Sequence, residues 1–444
     1  MRLDFFRRSG SREGTPDEVQ AMLAGDQADA VMAQALAETA QADGYVTYAQ
    51  ELDAQMRVQG YRFHWRAVDP ATDAAAQFRA LATCLGTHLH PEKGGWRLGR
   101  LLVYLDVTVE ALFQNELQLL PPANVVLCMG MDDLADADTR SMLLFLREQG
   151  FGFMLRGASV LPHDPALQDI ITHVDVGAGS DTVIAGMRRD QTPGREPMRL
   201  LASRIDSWDE CDRCAAQGVG AFVEGAQRRA LVKERNQELQ PESMLIVRLM
   251  QMLQRDESVK AIESALKRDA ALTYRLLRHI NSPAIGAGVE ITSLRHAVAL
   301  LGYSPLFRWL TLLLATSNKA SSPFMMKKAI LRGRFVELMG QGMLPASEAD
   351  NLFVVGMFSL IDQLLGVPMH EVLQKVQLAD SVQQAILSRQ GVYAPFLALV
   401  ESCESNDGEA QRLAEALFVS AGQVNAAHLS AMAWSQEISA MDAH

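Results

Sequence analysis

The sequence predicts an α/β barrel followed by an all-helical domain. Three observations carry this. From Tyr45 to Gly225 short apolar runs alternate with longer amphipathic ones, the order of strands and helices that builds a parallel sheet, of which a closed barrel is one form. From Glu242 onward that alternation stops, and apolar residues recur three and four apart, as on helices packed against one another. Finally, 444 residues exceed what a single hydrophobic core holds, so two or three domains are expected.

Residues 1–43 read as a leader. Its first part is polar and punctuated by Gly and Pro, and the Ala/Gln-rich stretch 21–42 has too small an apolar stripe to hold a helix alone. The barrel half is expected over 44–228. Within it, 101–107 (LLVYLDV), 125–129 (VVLCM), 151–155 and 170–176 (IITHVDV) read as buried strands. The stretch 136–149 sets Met142, Leu143, Phe145 and Leu146 at helical spacing and ends at Gly150, a residue suited to the left-handed position after a helix. In barrels of this kind, chemistry gathers at the C-terminal ends of the strands.

Residues 229–240 read as a linker, and the helical domain is expected over 241–440. Leu245, Leu249, Met252 and Leu253 share one face, and Val259, Ile262 and Leu266 another. Leu272, Leu276, Leu277 and Ile280 follow on a third helix, which Asn281, Ser282 and Pro283 stop. Ser293 is placed to cap the next, which runs through Leu301 to Gly302. Further helices are expected at 324–343, 349–365, 371–377 and 381–390, with two more to the end.

Charge excludes one class of partner. The net charge is -12, and residues 1–240 hold 24 Lys+Arg against 34 Asp+Glu. Neither half has the basic excess of a protein held to phosphate backbones, so nucleic acid is a poor fit. Five cysteines, scattered and odd in number, argue against a disulfide framework and for a reducing, cytoplasmic setting. The charged N-terminus lacks a signal-peptide core, and no run approaches ~18 apolar residues, so membrane insertion is not expected. The longest candidate, 300–315, is interrupted by Ser304, Pro305 and Arg308. Cys211-x-x-Cys214 and His88-x-His90 are lone pairs where zinc takes four ligands, and read as packing residues.

The run from Asp269 to Leu310 resembles the signature of the HDOD domain, a helical relative of the HD phosphohydrolases that lacks their metal ligands. The matching pieces are Asp269, Leu276-Leu277, Asn281-Ser282, Ile291 to Leu294 with Ser293 among them, Ala297, and Leu301-Gly302. The likeness continues through 356–366. There, by register, an HD enzyme carries its His-Asp pair where this chain has Ser359-Leu360, a hydroxyl and an isobutyl group that cannot hold metal ions.

The first half is similar in order and spacing to the EAL domain, the barrel that hydrolyses cyclic di-GMP. Gly60-Tyr61 precedes the place of the signature glutamate, which is taken by Arg62, so that the tripeptide reads Arg62-Phe63-His64. Asp106 falls at a metal-binding asparagine and Cys128 near the next glutamate. Arg156-Gly157 falls at the paired aspartates, and His173 at a lysine just before Asp175. The pattern Ala-Glu-x-Val-Glu has become Ala202-Ser203-Arg204-Ile205-Asp206. The literal tripeptides Glu110-Ala111-Leu112 and Glu415-Ala416-Leu417 lie elsewhere and read as ordinary helix formers.

The resemblance therefore implies a bacterial signal-transduction protein with a degenerate EAL-like barrel and an HDOD domain. Two-metal hydrolysis needs carboxylates to fix the cations, and an arginine in their place repels them. The expectation is a chain that is not an enzyme, has no cofactor and no metal, and works by contact with other signalling proteins. The alternatives are a metal-free site for a cyclic dinucleotide or other phosphorylated ligand, and a residual metal-dependent phosphohydrolase. In the first, Arg62, Arg156, Arg204 and His173 converge at one mouth. Ion pairs from these arginines to Asp106, Asp175 and Asp206 are the structural alternative.

Overall fold

The computed structural model describes residues 44–89, 96–190, 197–205, 208–223, 239–267, 269–280, 293–317, 323–405 and 407–441. The expected leader and nearly all of the expected linker lie outside these residues. The first half is a closed barrel of eight strands in sequence order. The chain runs β1 (Gly44–Leu52), β2 (Val58–Ala67), α1 (Ala74–His88), β3 (Leu102–Asp106), α2 (Val109–Leu112), β4 (Val125–Met129), α3 (Ala137–Glu148) and β5 (Gly152–Leu155). It continues through α4 (Pro165–Ile170), β6 (His173–Asp175), α5 (Asp181–Arg189), β7 (Arg199–Ala202), α6 (Trp208–Ala216) and β8 (Ala221–Val223).

Seven strands are parallel, as the alternating pattern predicts, but β1 is antiparallel to both its neighbours. The cause is local. Only five residues join β1 to β2, enough for a hairpin and too few for a crossover. Asp53 shapes that turn: its carboxylate accepts from the amides of Gln55 and Arg57, each at 2.9 Å, and from the Arg57 guanidinium at 2.8 Å. The strand expected at 170–176 is shorter, because Asp164 caps a helix that begins at Pro165 and consumes Ile170.

The helical half comprises α7 (Pro241–Gln254), α8 (Val259–Leu266), α9 (Ala270–Ile280), α10 (Leu294–Leu301), α11 (Tyr303–Thr316), α12 (Pro323–Gly340) and α13 (Ala346–Phe358). The rest is α14 (Ile361–Leu365), α15 (Met369–Val376), α16 (Asp380–Leu387), α17 (Ala394–Ser405), α18 (Ala410–Ala416) and α19 (Ala421–Met441). Two expectations change. The helix predicted over 349–365 is two helices broken at Ser359-Leu360, and three helices rather than two complete the chain. No single described helix is long and apolar enough to cross a membrane. The one pair that passes by composition, α10 with α11, bends by 105°. The bend falls at Gly302, whose φ of +75° suits glycine, while Pro305 sits harmlessly in the first turn of α11.

The hydrophobic core joins the halves. One cluster runs from the outer faces of the barrel strands into the helices, while Tyr104, Val126, Cys128, Met154 and Leu201 form a separate core inside the barrel. The junction is the β1–β2 ribbon. The Asn425 side chain accepts from the Val46 amide at 2.8 Å and donates to the Gly44 carbonyl at 2.9 Å, extending the free edge of β1. Tyr48 meets His428 edge-on, and His428 stacks on Phe335 with centroids 4.5 Å apart. At the turn, the Phe324 amide donates to the Met56 carbonyl, and Leu52, Met56 and Phe324 pack together.

Candidate functional site: the barrel mouth

Strand alternation decides what faces the barrel interior. Pairing of Arg62 with Tyr104 and of Asp106 with Cys128 across adjacent strands puts all four on the inner face. Arg62 lies in the barrel rather than free at its rim. Its Nε and Nη2 donate to Glu51 Oε1 at 3.3 and 3.2 Å, and the Glu51 side chain is fully buried. Burial raises the Glu51 carboxyl to about 7, with the Arg62 cation opposing the rise. Sequence spacing did not point to Glu51, whose place opposite Arg62 follows from the register of β1 on β2.

Around this pair, Cys128 is fully buried, and burial pushes its thiol well above the ordinary range although Arg62 pulls the other way. That leaves no reactive thiolate. His173 is also interior. Its Nδ1 meets Thr172 Oγ1 at 2.7 Å, its ring stands edge-on to Tyr104, and burial drops it to about 3. A neutral imidazole buried in this way adds no charge to an anion site, so His173 leaves the expected cluster of cations.

The mouth proper is built from strand ends. Asp106 closes β3, Arg156 follows β5, Asp175 closes β6 and Arg204 follows β7. Arg156 Nη1 donates to Asp106 Oδ1 at 3.3 Å, and His64 Nδ1 lies 3.6 Å from Asp106 Oδ2. Burial holds His64 below its ordinary range, with Asp106 opposing. Asp175 accepts from the Gly177 amide at 2.9 Å. Arg204 is exposed and lies against Gly177, where φ is +62° and a Cβ would stand 2.8 Å from the guanidinium. The positive φ is what favours glycine there. Asp206 lies outside the described residues.

Among the described residues no three His, Cys, Asp or Glu side chains converge where a metal ion could sit. Of the described carboxylates of the barrel interior and mouth, Glu51 and Asp106 are held by arginines, and Asp175 accepts from a backbone amide. What the arrangement offers is guanidinium chemistry, with Arg62 in the interior, Arg156 half-exposed on Asp106 and Arg204 exposed beside Gly177.

In the helical half the signature residues are architectural. Asp269 Oδ1 accepts from the Leu272 amide at 2.9 Å, and Ser293 caps α10 through the His296 amide. Leu276 and Leu301 are buried, while Asn281 and Ser282 lie outside the described residues. Ser359 and Leu360 are buried at the helix break. The Ser359 hydroxyl donates back to the Gly356 carbonyl at 2.7 Å and accepts from Arg332 at 2.8 Å. Arg332 also meets Glu401 at 3.1 Å and Glu404 at 2.6 Å. A permanent cation cross-links α12, α13 and α17 here, and sequence spacing could not reveal it, because its partners lie 27 to 72 residues away.

A closed eight-stranded barrel is thus followed by a helical half that contains an HDOD domain. The HDOD domain matches residues 239–369. The protein named cyclic di-GMP phosphodiesterase CdgJ, of Vibrio cholerae, is 25% identical over 359 residues, 77% of this chain and 80% of that protein. Uncharacterized protein YuxH of Bacillus subtilis is 31% identical over 163 residues, 36% of this chain and 40% of that protein. Among solved structures, the EAL domain of Mycobacterium smegmatis DcpA is 13% identical with a TM-score of 0.33, over 42% of this chain and 92% of that one. The chain is thus related to proteins of cyclic di-GMP signalling. One expectation is corrected. The lost carboxylates led us to expect no enzyme, and a relative named a phosphodiesterase along four fifths of its length overturns that.

Proposed function

We propose that this chain is a cyclic di-GMP signalling protein that receives a phosphodiester ligand at the barrel mouth and acts on other signalling proteins through its helical half. The observation that carries the reading is the set of three arginines, Arg62, Arg156 and Arg204, in the barrel interior and at the strand ends. Only Arg62 is fully engaged, by the buried Glu51. Arg156 keeps 42% of its side chain exposed while touching Asp106, and such an exposed pair is worth only about 0–1 kcal/mol. A phosphate can therefore replace Asp106 as its partner at little cost. Guanidinium groups recognise phosphate oxygens by paired hydrogen bonds and stay charged at any working pH.

The second part of the reading, contact with other proteins, is what the likeness of the helical half to the HDOD domain, matched over residues 239–369, implies. Ultraviolet cross-linking of labelled cyclic di-GMP to the full chain tests the first part. Label should map to peptides carrying Arg156 or Arg204 and be displaced by unlabelled cyclic di-GMP but not by GTP. Equal displacement by GTP, or label spread over the helical half, would reject the reading. The same samples, with and without Mg²⁺ or Mn²⁺, show whether a linear dinucleotide is released.

A further inference from the structure

We propose that the β1–β2 ribbon is a lever coupling the barrel mouth to the helical half. Alternate residues of the same two strands serve the two places. On β2, Arg62 and His64 turn toward the interior and mouth, while the intervening Tyr61 and Phe63 stack with Tyr48 on the other side. On β1, Glu51 turns inward to Arg62, while Val46 and Tyr48 meet Asn425 and His428. From α12, Lys327 places its ammonium 5.3 Å from the Tyr61 ring centre. A shift of either strand is felt on both sides.

β1 is also held unevenly. It pairs with β2 along its whole length, but with β8 only at Glu51–Val223 and Leu52–Phe222. The rest of its free edge is met by the helical half through Asn425. The contact holds its own tension. Gln50 Oε1, Gln50 Nε2 and the Tyr61 hydroxyl are buried there with no protein hydrogen-bond partner. Such groups weaken a docked arrangement relative to one in which they reach water. When Arg62 turns to an anion, Glu51 loses its buried partner and must take up a proton or reach water, which favours movement of β1. The ribbon then loosens where Asn425 grips it.

The lever rests on the mouth being the ligand site, but its test needs no ligand, so the two ideas fail separately. Hydrogen exchange is followed on the full chain in wild type, Arg62→Gln, Arg140→Gln and Asn425→Ala. Arg62→Gln should speed exchange at the Val46 amide and along 421–436 by about tenfold relative to 369–376, within the usual range of coupling between sites. Arg140→Gln, which breaks an exposed pair with Asp164 that belongs to neither mouth nor ribbon, should leave that ratio unchanged. Coupling is reciprocal, so Asn425→Ala should speed exchange at the amides of residues 62–64 relative to 125–129. If Arg62→Gln does not fold, this second arm decides alone. Uniform acceleration, or no change at the far side of the ribbon, overturns the lever.

Discussion

Arg62 and Glu51 form an ion pair inside the barrel, with the guanidinium 3.2 and 3.3 Å from one carboxylate oxygen. The second oxygen, Oε2, is buried without a protein partner. A pair of this kind gains little over apolar residues of equal size, but removing one member is expensive because the other stays buried and charged.

Arg62→Gln is therefore expected to lose about 3–5 kcal/mol of stability at pH 8, in line with broken buried pairs, as read by urea denaturation. Glu51 titrates near 7 in the folded chain, above its ordinary range. Its protonation thus favours folding at low pH, and that contribution is lost as pH rises through about 7. The variant should be less impaired at pH 5.5, where Glu51 is neutral and needs no partner. An equal loss at both pH values would show that the pair is not what the substitution breaks.

Ligand binding should follow the same titration with a definite sign. Above pH 7 the Glu51 carboxylate opposes an incoming phosphate, and below it the proton cancels that charge. Affinity for cyclic di-GMP is expected to rise as pH falls from 8 to 6, and Glu51→Gln should flatten the change. The check is a binding titration at several pH values and constant ionic strength, since salt screens the exposed Arg156 and Arg204. Affinity that falls on acidification contradicts this.

Asn425→Ala removes both hydrogen bonds to the edge of β1. The Val46 amide and Gly44 carbonyl are then left buried, at about 1–3 kcal/mol for each unsatisfied group. The measurement is the denaturation midpoint, and a cost below 0.5 kcal/mol, the level of an ordinary surface substitution, would show that the grip contributes nothing.

In the helical half, Arg332 and Ser359 should differ in weight. Ser359→Ala deletes a hydroxyl from a network that keeps two carboxylates, at about 0.5–1.5 kcal/mol. Arg332→Ala leaves Glu404 buried without its main cation, at about 3–5 kcal/mol. Similar losses in the two variants would contradict a cross-link centred on the arginine.

Much of the fold was legible because it rests on local pattern. The strand at Val125–Met129 is five buried residues in a row, and Ser293 and Gly302 delimit α10 as cap chemistry requires. The direction of β1 depended on a turn built by the Asp53 side chain, and the break at Ser359 on a back-bond to Gly356. Periodicity carries neither. At the mouth, the positions of Arg62, Asp106 and Arg156 followed from strand order, but their partners did not. Glu51 reaches Arg62 across the opening hairpin, and His173 is interior because it pairs with the inward-facing Met154. Distant pairings such as Val46 with Asn425, 379 residues apart, leave no trace in spacing.

Calorimetry of the full chain with cyclic di-GMP tests the central claim most directly, comparing wild type with Arg156→Glu and Arg204→Glu. The account predicts saturable binding to wild type, weakened at least tenfold by either charge reversal, the equivalent of about 1.4 kcal/mol. No heat from wild type at high ligand concentration, or binding that both reversals leave intact, would contradict it.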